Sequence, residues 1–155
     1  MKLILLLIPF FLWASPTFTT SQIVTCKEAF NYGKKHNLGR TLAGIAYVES
    51  KCGLYKVGNG DFGVTQINVS NHLREIGESN TPMSRSRYAT LLVTNDKLAY
   101  RLAVAELEYW KLKRGRTNWW HYVSSYNQGN IIQSNVYAEK VAEAIKLLLK
   151  HNIIN

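Results

Sequence analysis

An acidic side chain falls on the apolar face of a predicted helix, and this face limits how the chain can fold. The helix is predicted from Thr41 to Gly53. Five of its side chains recur at three- and four-residue spacing and share one face: Leu42, Ile45, Ala46, Glu49 and Cys52. Other elements must cover such a face, so a helical core has to form around it. Glu49 is therefore predicted to point toward the interior.

The position of Glu49 also bears on its protonation. It lies in the last turn before Gly53, a predicted C′ residue, where the helix dipole disfavours negative charge. Burial and the dipole both raise the pKa of this carboxyl and favour the protonated acid. A carboxyl that stays protonated near neutral pH can donate its proton to a glycosidic oxygen, which makes Glu49 a candidate general acid. The alternative is a carboxylate at the edge of the face that reaches solvent.

Residues 1–21 have the pattern of a secretory signal peptide. Lys2 precedes an apolar run from Leu3 to Trp13, which is too short to span a bilayer because a spanning helix needs roughly 20 residues. Small residues between Ala14 and Ser21 offer several cleavage points, and we expect the cut after Ser21. Residues 22–155 then form a single domain of a periplasmic or exported protein. An uncleaved signal anchor is the alternative.

The composition suits a packed, basic domain. The sequence is 46% hydrophobic and 19% charged, and its four Trp, nine Tyr and five Phe can supply both a core and a groove for flat sugar faces. A formal net charge of +9 attracts polyanions such as nucleic acid, anionic lipid or an acidic bacterial wall. Because an exported chain does not meet nucleic acid first, and because the basic residues are scattered, we expect no nucleic-acid partner.

Cys26 and Cys52 are the two cysteines of the sequence. An even number of cysteines in an exported chain favours a disulfide, which would tie the first helix to the end of the helix that carries Glu49. Two buried free thiols are the alternative. The four histidines show no ligand spacing to one another or to the cysteines, so we expect neither a metal site nor a cofactor.

The patterns around the second helix predict further helices and one irregular segment. A capping box from Thr25 to Glu28 predicts where the first helix begins. Closely spaced glycines after the second helix mark a tight segment, which is followed by a short extended piece from Val64 to Ile67. Residues 71–95 are ambiguous and contain only short helical runs. The predicted class is mainly α, with a small β or irregular element after the second helix.

Three helices are predicted in the C-terminal part of the chain. A long helix runs from about Thr94 to Arg114 and is stopped by Gly115. Its predicted core face consists of Leu98, Leu102, Ala105 and Tyr109. Thr117 is predicted to cap a shorter helix that ends near Gly129, and the last helix is predicted to start at Ser134. The core face of this last helix consists of Tyr137, Val141, Ile145 and Leu148.

Three short motifs share the order and spacing of one protein family. They are Glu49-Ser50 at a helix end, Gly63-Val64-Thr65-Gln66-Ile67, and Ser125-Tyr126-Asn127-Gln128-Gly129. The set resembles the soluble-type lytic transglycosylase domain, whose motifs are Glu-Ser, Gly-Leu-Met-Gln-Ile and Ala-Tyr-Asn-Ala-Gly. That family often has a tyrosine in its final helix, and Tyr137 fits this place. The resemblance extends from about Thr25 to Leu149.

The chain departs from the family's motifs at four positions. Val64 and Thr65 replace Leu-Met, Ser125 replaces Ala, and Gln128 replaces the small residue before Gly129. These departures leave the fold assignment intact and affect the expected substrate preference more than the chemistry. The short length and the signal peptide resemble small specialised members that accompany secretion and conjugation machines.

The resemblance implies a fold, an activity and partners. The fold is lysozyme-like (α+β, mainly α), a helical bundle around a glycan cleft. The activity is cleavage of the β-1,4 bond between N-acetylmuramic acid and N-acetylglucosamine in peptidoglycan, with 1,6-anhydro-muramic ends as products. Glu49 is the single catalytic acid and base, and the role is local wall remodelling. The implied partners are peptidoglycan strands and a secretion or conjugation apparatus, and we expect a monomer.

Five further residues are predicted to bind substrate, and each has an alternative role. Ser50 forms a hydrogen bond near the site or satisfies a helix end. Gln66 binds a sugar acetamido group or the catalytic carboxyl, or else lies on a surface strand. Tyr126 positions the carboxyl or stacks on a sugar, with core packing as the rival. Asn127 holds the loop or a sugar hydroxyl. The ring of Tyr137 belongs to the core, so only its hydroxyl can be functional.

Three more residues and two rival functions complete the prediction. Gly63 and Gly129 are predicted to allow tight backbone approach. Asp61 follows Glu49 by twelve residues, about where a lysozyme-like second carboxylate would lie. Its alternative is a turn role in Asn59-Gly60-Asp61. With Asp61 as a second carboxylate the protein would be a hydrolytic muramidase. The other rival is a non-catalytic wall-binding assembly factor that has kept the cleft.

Overall fold

The computed structural model describes residues 17–155, and within that range the chain forms seven α-helices and one two-stranded antiparallel sheet. In chain order the elements are α1 Thr20–Lys34, α2 Gly39–Ser50, β1 Asp61–Phe62, β2 Ile67–Asn68, α3 Val69–Glu75, α4 Pro82–Thr94, α5 Asp96–Arg114, α6 Trp119–Gln128 and α7 Val136–Lys150. The predicted class, mainly α with a small β element after the second helix, is confirmed. None of these helices combines the length and the apolar character needed to cross a membrane.

Helix α1 begins ahead of its predicted start. The side chain of Thr19 accepts a hydrogen bond from the backbone N–H of Gln22 (3.2 Å), and Gln22 Oε1 accepts one from the N–H of Thr19 (3.0 Å). The capping box predicted at Thr25 is wrong, because Thr25 lies on the buried face of a helix already under way. Of the predicted signal peptide, residues 1–16 lie outside the described residues, and the predicted cut after Ser21 falls in the first turn of α1.

Helix α2 is the central element, with α1 and α7 packed against it. Gly44 faces α7 so closely that an added Cβ would lie 2.8 Å from Cγ1 of Ile145 and 3.0 Å from the backbone oxygen of Val141. Real Cβ atoms tolerate contacts this short only if a neighbour moves. The two helices therefore cross at a glycine, and this crossing brings the end of α2 beside the start of α7.

The end of α2 differs from the prediction and is held by a disulfide. The helix ends at Ser50 rather than near Gly53, because Lys51, Cys52 and Gly53 all have positive φ values (53°, 55° and 84°). This left-handed turn brings Cys52 to Cys26 of α1, with a Cα–Cα distance of 5.4 Å. The predicted disulfide is confirmed, and it fixes the chain directly after the turn that carries Glu49.

The glycine-rich segment forms a hairpin in which residues 63–66 are a turn. The predicted extended piece from Val64 to Ile67 is therefore wrong except at its last residue, because Gly63 and Gln66 both have positive φ (83° and 49°). The tight approach predicted at Gly63 is present, since a Cβ there would lie 2.7 Å from the backbone oxygen of Leu92. The turn thus lies directly against the end of α4.

Residues 71–95, which the sequence left ambiguous, form most of α3 and α4, and α5 follows directly. The predicted core face of α5 is wrong, since Ala105 and Tyr109 are exposed and Leu98 and Leu102 only half-buried. The side chains that are buried lie on the adjacent stripe: Ala99, Tyr100, Ala103, Val104, Leu107 and Trp110. Small residues on that stripe let the hairpin turn approach the helix, and the Thr65 hydroxyl donates to the backbone oxygen of Ala99 (3.2 Å).

The last two helices follow the predicted pattern with shifted starts. Asn118, rather than Thr117, caps α6, because its side-chain oxygen accepts from the N–H of His121. The helix ends at Gln128 with Gly129 as its C-cap, so the predicted end near Gly129 is confirmed. Helix α7 begins at Val136 rather than Ser134. Three of its four predicted core residues are buried, namely Tyr137, Val141 and Leu148, and Ile145 is half-buried.

Candidate active site

A cleft of about 440 Å³ opens where the end of α2, the end of α6 and the start of α7 meet. Its lining consists of Val48, Glu49, Asn127, Gln128, Gln133, Ser134, Val136, Tyr137 and Lys140. Glu49, Asn127 and Tyr137 are thus the three predicted site residues that this cleft brings together. The volume lies in the range of small-ligand sites, and the lining is mostly polar.

Glu49 reaches the cleft from the last turn of α2 and is half-buried, as its place at the edge of the apolar face allows. The hydroxyl of Tyr137 donates a hydrogen bond to its Oε1 at 2.5 Å. Burial is the largest influence on this carboxyl and raises its pKa above the usual value. The Tyr137 hydrogen bond and the positive charge of Lys140 lower the pKa, and the negative charge of Asp61 raises it. The net direction is upward, as the sequence predicted.

Tyr126 supports Tyr137 and does not line the cleft. The two rings are stacked, with centroids 6.3 Å apart and planes inclined by 19°. The Tyr126 hydroxyl donates to the backbone oxygen of Thr65 at 2.9 Å, which binds α6 to the hairpin turn. Burial raises the pKa of both tyrosines well above the ordinary value, so both hydroxyls remain protonated donors. The structure therefore shows Tyr126 in a packing role and places the Tyr137 hydroxyl against Glu49, while a function for that hydroxyl stays a prediction.

Ser50 and Gln66 make their contacts away from the cleft. The buried Ser50 hydroxyl lies 2.7 Å from the backbone oxygen of Val64 and accepts from the N–H of Gly53 at 2.8 Å. These bonds satisfy backbone groups at and after the helix end, which is the alternative role predicted for Ser50. Gln66 Nε2 donates to the backbone oxygen of Gly63 at 2.8 Å, inside the hairpin. Substrate binding by Gln66 stays a prediction.

Asp61 lies on β1 rather than in a turn, opposite Asn68 of β2. The Asn68 side-chain amide donates to Asp61 Oδ1 at 2.8 Å and so orients the carboxylate. Its negative charge is close enough to Glu49 to raise the pKa of that residue. The hairpin therefore places a second carboxylate near enough to Glu49 for its charge to act on the candidate acid.

The segment from Gly129 to Asn135, here called the cleft loop, is fastened at its far end by Gln128. The Gln128 amide donates to the backbone oxygen of Ser134 (2.7 Å) and accepts from the N–H groups of Gln133 (2.8 Å) and Ser134 (3.3 Å). Gly129 itself has open space around it, and it is needed for its positive φ of 69° rather than for the predicted close approach.

The near end of the cleft loop is fastened from α5. Arg114 donates to the backbone oxygens of Gly129 and Asn130 and, through Nε, to the Ser125 hydroxyl at 3.0 Å. Lys113 donates to the Asn130 side chain at 2.6 Å. Ser125 and Gln128 are both departures from the family's motif, and both contribute to this arrangement. The departures thus shape one wall of the cleft.

Glu106 is an acidic residue that the sequence analysis missed. It lies on α5, and Trp110 Nε1 donates to its Oε1 at 3.3 Å. Burial, with a smaller contribution from the negative charge of Glu75, raises the pKa of Glu106 to about 7. Its charge also raises the pKa of Tyr126 and Tyr137. The sequence could have indicated Glu106 as a charged residue among the buried residues of α5. It was overlooked because the core face of α5 was assigned to the wrong stripe.

Glu106→Gln is expected to remove a pH dependence of stability. In the native protein Glu106 keeps its proton up to about pH 7, whereas in the unfolded chain it ionises near its ordinary pKa of 4.5. The free energy of unfolding contributed by this group is therefore fully present below pH 4.5 and is lost as pH rises through 7. Urea unfolding between pH 4 and 8 measures this. The exposed Glu143→Gln variant should keep the wild-type slope, and an unchanged slope in Glu106→Gln would contradict the assignment.

We compared the chain with models of known families, with curated proteins and with solved structures. None of the three comparisons found a match. The likeness to soluble-type lytic transglycosylases thus stays a resemblance of three short motifs. Among residues 17–155, no group of three or more His, Cys, Asp or Glu side chains is arranged to hold a metal ion.

Proposed function

We propose that the protein is a peptidoglycan lytic transglycosylase of lysozyme-like fold, with Glu49 as its single acid and base. One observation carries the proposal: a half-buried carboxyl of raised pKa opens into a polar cleft and accepts a hydrogen bond from a buried tyrosine. Such a carboxyl keeps its proton to higher pH than an ordinary glutamic acid and can deliver it to a bound glycan. The motif order around Glu49 gives independent support.

The proposed reaction uses one carboxyl twice. Glu49 protonates the oxygen that joins N-acetylmuramic acid to N-acetylglucosamine, and the bond from that oxygen to the muramic anomeric carbon breaks. The ionised carboxylate then takes the proton of the muramic C6 hydroxyl, whose oxygen bonds to the anomeric carbon. The products are a 1,6-anhydro-muramic end and a free N-acetylglucosamine hydroxyl, and no water is consumed. Because Tyr137 binds Oε1, the transferable proton is carried on Oε2.

The hydrolytic muramidase is the second candidate, because Asp61 acts on the pKa of Glu49. In ordinary glycosidases two carboxyls about 5–9 Å apart flank the bond, and the second activates water or attacks the sugar. Asp61, oriented by Asn68, is the residue that would take this role. The products of the two reactions differ by one water molecule.

The proposed setting is the bacterial cell wall. The sequence carries a formal net charge of +9, which attracts an acidic polymer such as peptidoglycan. We propose that a monomer acts in the periplasm or outside the cell after export. We further propose that it opens the wall locally for a secretion or conjugation apparatus.

Mass spectrometry of the fragments released from purified peptidoglycan tests the proposal. Anhydro-muramic ends are the expected product of the transglycosylase. Reducing ends, heavier by one water, would instead support the muramidase and direct attention to Asp61. Intact strands after incubation with folded protein would contradict both enzymes and favour the wall-binding assembly factor.

Tyr137→Phe is expected to move the basic limb of the pH–activity profile to higher pH. The hydroxyl stabilises ionised Glu49, so its loss raises the pKa of Glu49 further. A general acid works only while protonated, so activity persists to higher pH. The measurement is kcat/KM on soluble glycan strands across pH. Tyr126→Phe, whose hydroxyl binds Thr65, is the matched control, and a Tyr137→Phe limb that stays or moves down would count against the hydrogen bond's role.

A further inference from the structure

Lys140 is a charged residue of the cleft to which no role has yet been given. It lies in the second turn of α7, is exposed, and lines the same cleft as Glu49. Among residues 17–155, no ion pair within 4 Å involves Lys140. Its charge nevertheless reaches the candidate acid, because it lowers the pKa of Glu49. A cation left unpaired at a polar cleft is available to an anionic group of the bound molecule.

The surroundings of Lys140 are polar and held in place. Gln133 and Ser134 of the cleft loop line the cleft beside it, and the three hydrogen bonds of Gln128 fix the backbone of both residues. Arg114 and Lys113 hold the other end of the same loop. A ligand group that meets Lys140 therefore meets a preformed wall, and binding does not have to order that wall.

The substrate of the proposed reaction carries an anionic group at the corresponding place. N-acetylmuramic acid differs from N-acetylglucosamine by a lactyl branch on its ring, and this branch ends in a carboxylate or continues into a stem peptide with carboxylates. The same ring holds the anomeric carbon at which Glu49 acts. We therefore expect its branch at the same cleft, whose lining includes Lys140 and residues of the cleft loop.

We propose that Lys140 binds the carboxylate carried on the lactyl branch of N-acetylmuramic acid and so makes the cleft specific for muramic-acid-bearing strands. This inference rests on the proposed function and names its substrate determinant. In either case Lys140 binds a carboxylate on the branch. That carboxylate belongs either to the lactyl group itself or to the stem peptide. Lys140 is a binding residue in this scheme, and Glu49 keeps the proton transfer.

Steady-state cleavage of three soluble substrates by the mature protein tests the proposal. The substrates are uncrosslinked strands with stem peptides, the same strands with their stem carboxylates amidated, and strands stripped of peptide by an amidase. If the stem supplies the carboxylate, amidation and stripping each raise the wild-type KM about fivefold. If the lactyl group supplies it, the stripped strand, whose lactyl carboxylate is uncovered, has a KM about fivefold below that of the two peptide-bearing strands.

Lys140→Ala is expected to have the same KM for all three substrates. Because the substrates are compared with one protein at one pH, any change in Glu49 cancels from the KM ratio. Lys140→Arg should keep the wild-type ratio, and so should Lys146→Ala, a lysine on α7 that pairs with Glu143 in solvent. Equal KM values for wild type, or a wild-type ratio in Lys140→Ala, would overturn this inference alone. Failure of wild type to cleave any strand would overturn the proposed function and this inference with it.

Discussion

Glu49→Gln is expected to lower the rate of glycan cleavage by about a hundredfold to ten-thousandfold, the usual contribution of a general acid and base. The substitution keeps the shape of the side chain, and the amide oxygen can still accept the hydrogen bond of Tyr137. It removes the group that titrates. Glutamine can neither protonate the leaving oxygen in the first step nor take the proton of the C6 hydroxyl in the second. The measurement is the rate at which muropeptides are released, followed by mass spectrometry.

Two controls separate loss of chemistry from loss of fold in this experiment. Glu139→Gln makes the same change at an exposed position of α7 and should cleave at the wild-type rate. The thermal midpoint of Glu49→Gln should be no lower than that of wild type, because the change removes a carboxylate whose burial is unfavourable. A folded Glu49→Gln protein that still clears cell walls at the wild-type rate would refute the assignment of Glu49.

The double variant Cys26→Ala/Cys52→Ala is expected to lose about 3.5 kcal/mol of unfolding free energy, the chain-entropy value for a loop of this length. The disulfide spans 26 residues of sequence and ties α1 to the turn after α2. Both cysteines are buried, so the small voids left by alanine add to the loss. Guanidinium unfolding measures the change as a lower midpoint and a steeper slope, because the unfolded chain without the crosslink is less compact and exposes more surface.

The same experiment has a chemical control. Wild-type protein unfolded in the presence of a thiol reductant should lose a similar amount of stability, because reduction opens the same loop without changing the sequence. A double variant that unfolds at the wild-type denaturant concentration would show that the covalent link adds nothing to the fold. A large loss in the variant but none on reduction would assign the effect to packing around the two side chains.

Local patterns predicted the helices that carry one clear apolar face. The face of α2 containing Leu42 and Ile45 and that of α7 containing Val141 and Leu148 are buried as expected. Helix α5 has apolar residues on two adjacent stripes, and periodicity alone does not decide between them. The deciding factor is a tertiary contact: the small side chain of Ala99 lets the Gly63 turn approach, which no local pattern reveals.

The candidate site was predictable only in part, for a similar reason. Glu49 could be recognised as a candidate acid from the pattern of its own helix, because its place on the apolar face and in the last turn can be read from the local sequence. Its hydrogen bond to Tyr137 joins residues 88 positions apart, and although the family resemblance pointed to the Tyr137 hydroxyl, it did not predict this contact. The contributions of Lys140 and Gln128 arise where three elements meet, so neither residue type nor spacing indicated them. Glu106 was missed together with the correct face of its helix.

The crossing of α2 and α7 at Gly44 makes this residue, which has no side chain, as intolerant of substitution as the residues of the candidate site. Any side chain at this position would push Val141 and Ile145 outward and with them the helix that presents Tyr137 to Glu49. A comprehensive mutational library selected for activity should therefore be depleted at codon 44. The damage would appear at a carboxyl more than one helical turn away, so the spacing between the two helices sets the geometry of the candidate site.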